Sequence, residues 1–243
     1  MSWTDLDVPG ATSMRVHTVL PTAEPPPAGG RDVVLLHELF GVEGGVRAFG
    51  AELAAVGHRV LMPELYHRTA PAGTAFERDD EGRSQGFAHL GRLDRQDVIT
   101  SVGAVLDHAA ATGSGPGPAC LVGFSAGANA AFLVATRVAV PVTVCVYPGW
   151  LTGTDVPLGG PTPTLAAAGG ISGRIELLVG ETDHVISPEQ VAEIRAGLRA
   201  GGVDHEVTVI ADAGHAYMWP GTPAYDADAR AETTRRVLAA LRR

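Results

Sequence analysis

The sequence has 243 residues, of which 45% are hydrophobic and only 5% aromatic, enough for one α/β domain with a core mainly of Ala, Val and Leu. The formal net charge is −9 and no basic stripe is visible, which argues against nucleic-acid binding. All 18 basic residues are arginine, so the chemistry of a Schiff-base lysine or a phosphate-loop lysine is excluded.

Cysteine use and the N-terminal sequence indicate the compartment. Cys120 and Cys145 fall in predicted buried strands, where reduced thiols are expected, and this favours a cytoplasmic protein. The first residues lack a basic region followed by an apolar one, so we expect no signal peptide. No apolar run reaches the length of a membrane span, and we expect no membrane partner.

Strands and helices alternate along the chain, which predicts an α/β fold with a mostly parallel central sheet and helices on both faces. In chain order we predict a strand at 14–20, a Pro/Gly-rich loop at 21–30, a strand at 32–36, a helix at 42–56, a strand at 58–63, a helix at 94–111, a strand from 120 followed by a helix, strands at 142–147 and 171–179, a helix at 188–200, a strand at 203–210 and a helix at 227–241. Ser187 is the predicted N-cap of the 188–200 helix, with Pro188 at its first position.

Two predicted loops, at 66–92 and 148–170, are longer than is usual in a compact domain. Long irregular segments are often lids or binding loops. Both would lie above the carboxyl ends of strands, where open α/β sheets bind their ligands. We therefore expect both loops to line the substrate pocket.

Residues 123–127 read Gly-Phe-Ser-Ala-Gly and stand between a short apolar run and a segment of small and apolar residues. A G-x-S-x-G sequence between a strand and a helix is typical of a nucleophile elbow, whose sharp turn leaves no room for side chains at the two glycines. Ser125 is therefore the predicted nucleophile. The alternative is a Gly-rich turn with an incidental serine, since the chain contains 31 glycines.

A serine nucleophile requires a base, and the base requires an acid that orients it. Asp183 follows the predicted strand that ends at Gly180 and is the predicted acid; Glu181 is its rival, and an ordinary loop or capping role is the alternative for Asp183. His215 follows the last predicted strand and is the predicted base. The chain order Ser, Asp, His is that of α/β-hydrolases.

The chain contains nine histidines, so a single histidine means little without its context. His184 directly follows the predicted acid, and a side chain in that position cannot readily fold back to bond it. Four others fall on predicted strand or helix surfaces and are expected to be solvated: His17, His58, His108 and His205.

Acyl transfer also requires two backbone N–H donors for the negative charge that develops on the carbonyl oxygen. We expect one donor at Ala126, directly after the nucleophile. The other is expected at Leu39, in the loop that follows the predicted strand at 32–36.

These residues together resemble the dienelactone hydrolase family of the α/β-hydrolase superfamily, over roughly residues 30–240. The sequence His-Glu-Leu-Phe-Gly at 37–41 is similar to that family's turn after its early strand, and Pro-Glu-Leu-Tyr at 63–66 is similar to its motif at the next strand end. Residues 123–127, 180–183 and 214–215 match its nucleophile, acid and base positions. The resemblance implies the α/β-hydrolase fold and a small-molecule ester or lactone substrate.

The sequence departs from that family at the nucleophile. Members typically carry cysteine at the position of Ser125, and Glu38 corresponds to the carboxylate that contacts their resting thiol. With serine in place, a thiol switch does not carry over. Glu38 is then expected either to organise a hydrogen-bond network beside the elbow or to be purely structural.

A second departure concerns the substrate carboxylate, which the dienelactone hydrolases themselves hold with two arginines. One arginine position lies near Arg83, and the other is occupied by Trp219, whose indole offers a flat apolar wall instead of a cation. We therefore expect an apolar or aromatic ester as substrate. Tyr217 and Met218 are expected to line the pocket beside Trp219; the alternative for such a cluster of Met and aromatic residues is plain core packing.

These expectations describe a single-domain serine hydrolase, residues 1–243, that cleaves a carboxylic ester, lactone or thioester through an acyl-enzyme. The residues imply no metal and no organic cofactor. Two alternatives stay open: a non-catalytic small-molecule-binding homologue, and an acyltransferase. The sequence leaves open whether the chain is a monomer or a dimer.

Overall fold

A single twisted sheet organises the chain; the structure, a computed structural model, describes residues 1–10, 13–22, 30–113, 115 and 117–243. Within these residues the strands are β1 (Ser2–Leu6), β2 (Met14–Val19), β3 (Asp32–Leu36), β4 (Arg59–Pro63), β5 (Cys120–Phe124), β6 (Val142–Val146), β7 (Arg174–Gly180) and β8 (His205–Ile210). The helices are α1 (Gly44–Ala55), α2 (Asp80–Leu90), α3 (Arg95–Thr112), α4 (Ala126–Ala135), α5 (Pro188–Ala200) and α6 (Ala227–Leu241), with a 3-10 helix at Thr164–Gly170.

The sheet has the order β1-β2-β4-β3-β5-β6-β7-β8. β2 pairs antiparallel with both β1 and β4, whereas β3 to β8 pair in parallel register throughout. The mostly parallel α/β architecture predicted from the sequence is therefore confirmed.

Most of the predicted elements are present, with ends that differ by a few residues. α5 and α6 span the predicted residues, and Ser187 caps α5 with Pro188 in its first turn. The Ser187 hydroxyl accepts from the Gln190 amide, and the Gln190 side chain accepts from the Ser187 amide. Residues 23–29 of the predicted Pro/Gly-rich loop lie outside the described residues.

Three elements were not predicted: β1, α2 and the 3-10 helix at Thr164–Gly170, which lies in the predicted loop 148–170. β1 is exposed along most of its length and pairs only with β2, so it lacks the apolar alternation of a half-buried strand. α2 lies inside the predicted loop 66–92 and contains two glycines, which weaken helix propensity. Its start nevertheless had a signal, because Asp79 is an N-cap whose carboxylate accepts from the Gly82 amide at 2.8 Å.

Both faces of the sheet are buried. On β3, Val33 and Leu35 pack into the cluster that contains the apolar residues of α1, α5 and α6. Val34 and Leu36 pack on the opposite side, into the cluster that contains those of α3. A central parallel strand that is apolar at every position is the expected result of this two-sided covering.

Two of the four histidines expected to be solvated are buried: His17 is 5% exposed and His58 is 4% exposed. The His58 Nδ1 atom accepts a hydrogen bond from the Arg31 amide at 3.1 Å, which the sequence pattern did not reveal. Burial lowers the pKa of both imidazoles. Cys120 and Cys145 are free and buried, as predicted. None of the helices in the described residues is long and apolar enough to cross a membrane.

The parallel strands bring four loops to one edge of the sheet. β3, β5, β7 and β8 all end there, and the segments that follow them carry Leu39, Ser125, Asp183 and His215. Residues that are 32 to about 180 positions apart along the chain thus become neighbours through topology alone.

Candidate active site

Ser125 lies on the sharp turn between β5 and α4. Its φ angle of 49° is in the left-handed region, which a non-glycine residue adopts only when its surroundings require it. A Cβ atom at Gly127 would lie 2.3 Å from the His37 carbonyl oxygen and 2.5 Å from that of Leu36. A Cβ atom at Gly123 would lie 2.3 Å from the Gly127 oxygen. Both glycines are therefore required by close backbone contacts.

Ser125, His215 and Asp183 form one continuous hydrogen-bonded chain. Ser125 Oγ lies 3.0 Å from His215 Nε2, and His215 Nδ1 lies 2.8 Å from Asp183 Oδ2. A carboxylate only accepts, so Nδ1 carries the imidazole proton and Nε2 is left free to accept from the serine hydroxyl. This is the tautomer that a general base at this position requires.

Asp183 is fixed from its other side. Its Oδ1 atom accepts from the backbone amides of Val185 at 2.8 Å and Ile186 at 3.1 Å, and its side chain is fully buried. The base loop packs closely on the acid loop, since a Cβ at Gly180 would lie 2.3 Å from the Ala213 oxygen. The carboxylate thus has both oxygens bonded and little freedom to turn away from His215.

The two rival residues lie elsewhere. Glu181 is exposed, and its carboxylate accepts from the Asp212 amide at 3.0 Å instead of reaching His215. His184 is exposed and presents its ring edge-on to His215, with centroids 5.9 Å apart. The structure therefore brings the carboxylate of Asp183, and not the side chain of Glu181 or His184, within hydrogen-bond distance of His215 Nδ1.

The loop after β3 carries the expected backbone donor at Leu39. None of the backbone hydrogen bonds found in the described residues is donated by the Leu39 amide. The Ala126 amide is at the first position of α4, where a helix offers no internal acceptor. The N-terminal end of α4 also carries the positive end of the helix dipole. Both amides are therefore available to a ligand beside Ser125.

A cleft of about 390 Å³ opens over Ser125 and His215. This volume lies within the range of small-molecule sites in proteins. Both long segments predicted to line the pocket contribute to it: Arg78, Arg83 and Phe87 come from the first, and Trp150 from the second. Apolar side chains predominate on its walls, namely Leu39, Phe40, Phe87, Trp150, Val185, Ala216 and Pro223.

A family model described as the dienelactone hydrolase family matches residues 16–243. The chain belongs to this family. It is accordingly an ester-bond hydrolase with the α/β-hydrolase fold, as the sequence predicted.

Individual relatives agree with this assignment. A carboxymethylenebutenolidase homologue of Escherichia coli (strain K12) is 30% identical over 214 residues, which are 85% of this chain and 74% of that protein. The carboxymethylenebutenolidase of Rhodococcus opacus is 29% identical over 191 residues, or 78% of this chain and 71% of that protein. The crystal structure of a dienelactone hydrolase homologue from Klebsiella pneumoniae subsp. pneumoniae MGH 78578 has a TM-score of 0.86 at 23% identity, covers 99% of this chain and 97% of that one, and shows the same fold.

In this dienelactone hydrolase family member, Glu38 is the centre of a buried polar network. Its side chain is 3% exposed and pairs with Arg78 through Oε1, while Oε2 accepts from Trp219 Nε1 at 2.8 Å and lies 3.4 Å from the Tyr147 hydroxyl. Of the two roles expected for Glu38, the geometry matches the hydrogen-bond network. Both carboxylate oxygens are engaged, and none of the hydrogen bonds found in the described residues joins Glu38 to Ser125.

Arg78 is the cation of this network and was not identified from the sequence. It also bonds Glu43 at 2.7 Å, and its guanidinium lies 4.6 Å from the Trp219 ring centroid and 4.8 Å from that of Phe40. Burial alone would lower the pKa of Arg78, but Glu38 and Glu43 outweigh it and raise the pKa. The sequence signal that could have indicated an ordered segment around Arg78 is Asp79, which directly follows it and is the N-cap of α2.

Trp219 is not the exposed wall that we expected. Its side chain is 2% exposed and does not line the cleft, because the ring lies behind Glu38 and Arg78. Tyr217 and Met218 are fully buried as well, so the expectation that these three residues line the pocket is wrong. The cleft owes its apolar character to Phe40, Phe87 and Trp150 instead.

Arg83 lies at the rim of the cleft. Its side chain is 60% exposed and pairs with Asp80 of the same helix at 3.0 Å. An exposed pair of this kind contributes little binding or stability because solvent screens it. The arginine position predicted from the family resemblance is thus present at the cleft but is open to water.

The close contact at Gly127 predicts a stability difference between two Gly→Ala variants. Gly127→Ala forces a Cβ against backbone carbonyls, and we expect it to lower the free energy of unfolding by roughly 1–3 kcal/mol or more. Gly103→Ala on α3 meets nothing within 4 Å, and we expect a gain of about 0.5–1 kcal/mol from helix propensity. Urea denaturation measures both, and equal midpoints would contradict the steric argument.

The burial of His37 predicts a pH-dependent stability term. Burial lowers the pKa of His37 to about 4, whereas the unfolded side chain titrates near its ordinary value of 6.5. The unfolded chain therefore takes up a proton first as the pH falls, so the contribution of His37 is complete above pH 6.5 and is lost on the way to pH 4. Between pH 7.5 and pH 4.5 we expect the free energy of unfolding to fall by about 2–3 kcal/mol more in wild type than in His37→Asn.

Urea denaturation at the two pH values measures this term. His108→Asn, on the half-exposed part of α3, is the matched control and is expected to keep the wild-type pH dependence. Identical pH dependence in His37→Asn and wild type would show that His37 titrates normally in the folded chain.

Proposed function

We propose that this chain is a serine hydrolase that cleaves a carboxylic ester, lactone or thioester through an acyl-enzyme intermediate. The observation that carries the proposal is the continuous chain of contacts from Ser125 Oγ to His215 at 3.0 Å and from His215 to Asp183 at 2.8 Å, at the floor of an apolar cleft. Family membership supports the ester-bond chemistry, and the geometry supports these three residues as its agents.

In the first half-reaction, Ser125 Oγ forms a bond to the substrate carbonyl carbon while His215 Nε2 takes the hydroxyl proton. The tetrahedral intermediate then expels the alcohol or thiol, which receives that proton from His215. In the second half-reaction, His215 takes a proton from water, whose oxygen attacks the acyl carbon. Loss of Ser125 Oγ, reprotonated by His215, releases the acid. Asp183 holds the imidazole tautomer and stabilises its cation throughout.

The amides of Leu39 and Ala126 are the proposed oxyanion donors. Negative charge develops on the substrate oxygen only as Ser125 attacks, so donors that are fixed beforehand stabilise the transition state more than the ground state. Removing one such donor in a hydrolase typically costs about 10²–10³ in kcat. The dipole of α4 adds positive potential at the same point.

The proposed substrate carries an apolar or aromatic group, although the reason differs from the one inferred from the sequence. Phe87 is 44% exposed and meets Trp150 edge to face, with ring centroids 6.2 Å apart, at the mouth of the cleft. Trp150 has a φ of 59°, and Asn129 Nδ2 holds the preceding Gly149 carbonyl at 2.8 Å. A bulky residue held in this backbone conformation gives the subsite a fixed wall.

α2 brings Phe87 to this position. A Cβ atom at Gly86 would lie 2.6 Å from the Leu39 carbonyl oxygen, so α2 packs directly on the loop that holds the proposed oxyanion donor. An aromatic ring between Phe87 and Trp150 would gain offset and edge-to-face contacts that an aliphatic group of the same size does not make. We therefore expect aryl esters to be preferred over their saturated analogues.

The triad assignment predicts the effects of three substitutions. Ser125→Ala and His215→Ala are each expected to lower kcat by roughly 10⁴–10⁶, because triad members act as a unit. Asp183→Asn is expected to cost roughly 10⁴. Glu181→Gln is the matched control and should keep the wild-type rate. The assay is hydrolysis of p-nitrophenyl acetate, with burst kinetics to detect the acyl-enzyme.

Three outcomes of that assay would each reject part of the proposal. Wild-type turnover no faster than that of Ser125→Ala would favour the non-catalytic binding homologue. A rate that rises when an added alcohol replaces water as acceptor, with ester as product, would favour acyl transfer. Loss of activity in Glu181→Gln with a normal rate in Asp183→Asn would reverse the choice of acid.

The proposed aryl subsite, the space between Phe87 and Trp150, predicts a substrate preference that disappears in one variant. Wild type is expected to hydrolyse methyl phenylacetate with a kcat/KM about 5–10-fold above that of methyl cyclohexylacetate, which has the same leaving group, and this corresponds to roughly 1 kcal/mol of aromatic contact. Phe87→Ala should remove the difference, whereas Trp3→Ala, an exposed aromatic residue on β1, should keep it. Acid release in a pH-stat follows every ester without a chromophore.

Monoesters of succinate extend this panel to anionic substrates. A strong preference for them that is lost in Arg83→Gln would mean that the rim arginine selects a carboxylate, and the apolar proposal would then be wrong.

A further inference from the structure

The peptide between Glu38 and Leu39 carries one of the proposed oxyanion donors, and a neighbouring side chain holds its other end. The Glu38 carbonyl oxygen lies 2.6 Å from His37 Nδ1, with the His37 ring 2% exposed. The C=O and N–H groups of a trans peptide lie in one plane and point in opposite directions. A carbonyl that is bonded to the His37 ring therefore directs the Leu39 N–H away from that ring.

The tautomer of His37 follows from its second contact. The Leu65 amide donates to His37 Nε2 at 3.1 Å, so Nε2 carries no proton and Nδ1 does. Nδ1–H then donates to the Glu38 carbonyl oxygen. Burial keeps the ring in this neutral form, with a pKa lowered to about 4. The ring thus connects the segment after β4 to the loop after β3.

The next peptide of the loop is fixed in the same way. The Tyr66 hydroxyl donates to the Leu39 carbonyl oxygen at 3.0 Å, and the Tyr66 ring meets the His37 ring edge to face at 5.1 Å. Both carbonyls around Leu39 are therefore occupied by donors on the side of β4. The Leu39 amide itself donates none of the hydrogen bonds found in the described residues, and Leu39 lines the same cleft as Ser125.

We propose that His37 is a positioning residue that fixes the orientation of the Glu38–Leu39 peptide, so that the Leu39 N–H is aimed at the oxyanion before substrate arrives. The inference rests on the proposed acyl-transfer function. Without the His37 donor, the peptide can rotate and present its carbonyl oxygen instead of its N–H to the developing negative charge. That orientation would repel the oxyanion, so the loss falls on the transition state and not on substrate binding.

Substitutions at His37 separate this role from simple packing. The Asn side chain places its NH₂ near the position of Nδ1 and can still donate to the Glu38 carbonyl, whereas Ala offers no donor. Gln can reach the Leu65 amide in place of Nε2 but supplies no donor at the Nδ1 position. We expect His37→Asn to keep kcat within about fivefold of wild type, and His37→Ala and His37→Gln to lose about 10²-fold in kcat with KM changed less than about threefold.

A second measurement reads the oxyanion site without turnover. An aryl boronic acid adds to the serine hydroxyl to form a tetrahedral adduct, one of whose oxygens occupies the position of the oxyanion. Its inhibition constant should therefore weaken about as much as kcat falls in His37→Ala and His37→Gln, and stay near the wild-type value in His37→Asn. Substitution of a residue with a purely structural role would not change kcat and the boronate inhibition constant by the same factor.

His58→Asn is the matched control. His58 is also buried, and its ring nitrogen also bonds a backbone amide, that of Arg31, but at the opposite end of the strands. This variant is expected to lose stability while kcat and the inhibition constant stay at their wild-type values. Thermal unfolding of all variants shows which of them are folded at the assay temperature.

Equal kcat in His37→Ala and wild type, or unchanged boronate inhibition in folded His37→Ala or His37→Gln, would overturn the role of His37. A loss in His37→Asn as large as in His37→Ala would do so as well, because the donor alone would not be what matters. If His37→Ala does not fold, the comparison of His37→Gln with His37→Asn decides in the same way. Failure of the proposed function is a different result: wild type itself would neither turn over esters nor bind the boronate.

Discussion

The close backbone contact between Gly127 and the end of β3 is the constraint on which the rest of the site depends. It allows the first turn of α4 to lie against the carbonyls of Leu36 and His37. Ser125 and the loop that carries Leu39 are therefore brought together by backbone packing and not by flexible side chains. The acid and base loops join them because β7 and β8 continue the same parallel sheet, and their own close contact at Gly180 fixes them to each other.

A second layer of polar contacts keeps the loop after β3 in one conformation. Glu38, Arg78 and Trp219 form its charged part, and His37 and Tyr66 hold the carbonyls. Burying a carboxylate is costly unless each of its oxygens is bonded, and here Arg78 and Trp219 meet that requirement. These contacts therefore set the shape of the loop before any ligand binds. A loop that is fixed beforehand is what transition-state stabilisation requires.

The sequence predicts β2 to β8, α5, α6 and the positions of Ser125, Asp183 and His215, because each depends on local pattern and on strand order. α2 was missed because Gly82 and Gly86 weaken its helical pattern, although Gly86 is required by contact with the Leu39 carbonyl. Trp219 was placed in the pocket because a family position fixes where a residue lies along the chain, but not which way its side chain turns. That direction is decided by Glu38 and Arg78, from segments about 140 to 180 residues away.

The two departures from the family resemblance, Ser125 and Trp219, are linked through Glu38, which lines the same cleft as Ser125. Trp219 stands where the family resemblance implies a substrate-binding arginine, and its indole N–H donates to Glu38. Arg78 and Trp219 thereby engage both oxygens of the Glu38 carboxylate, and none of the hydrogen bonds found in the described residues joins Glu38 to Ser125. A serine hydroxyl stays neutral at rest and requires only a nearby acceptor, which His215 Nε2 offers to Ser125 Oγ at 3.0 Å. Glu38 therefore acts on the site through the shape of the loop after β3, whereas the side chain that Ser125 Oγ contacts is His215.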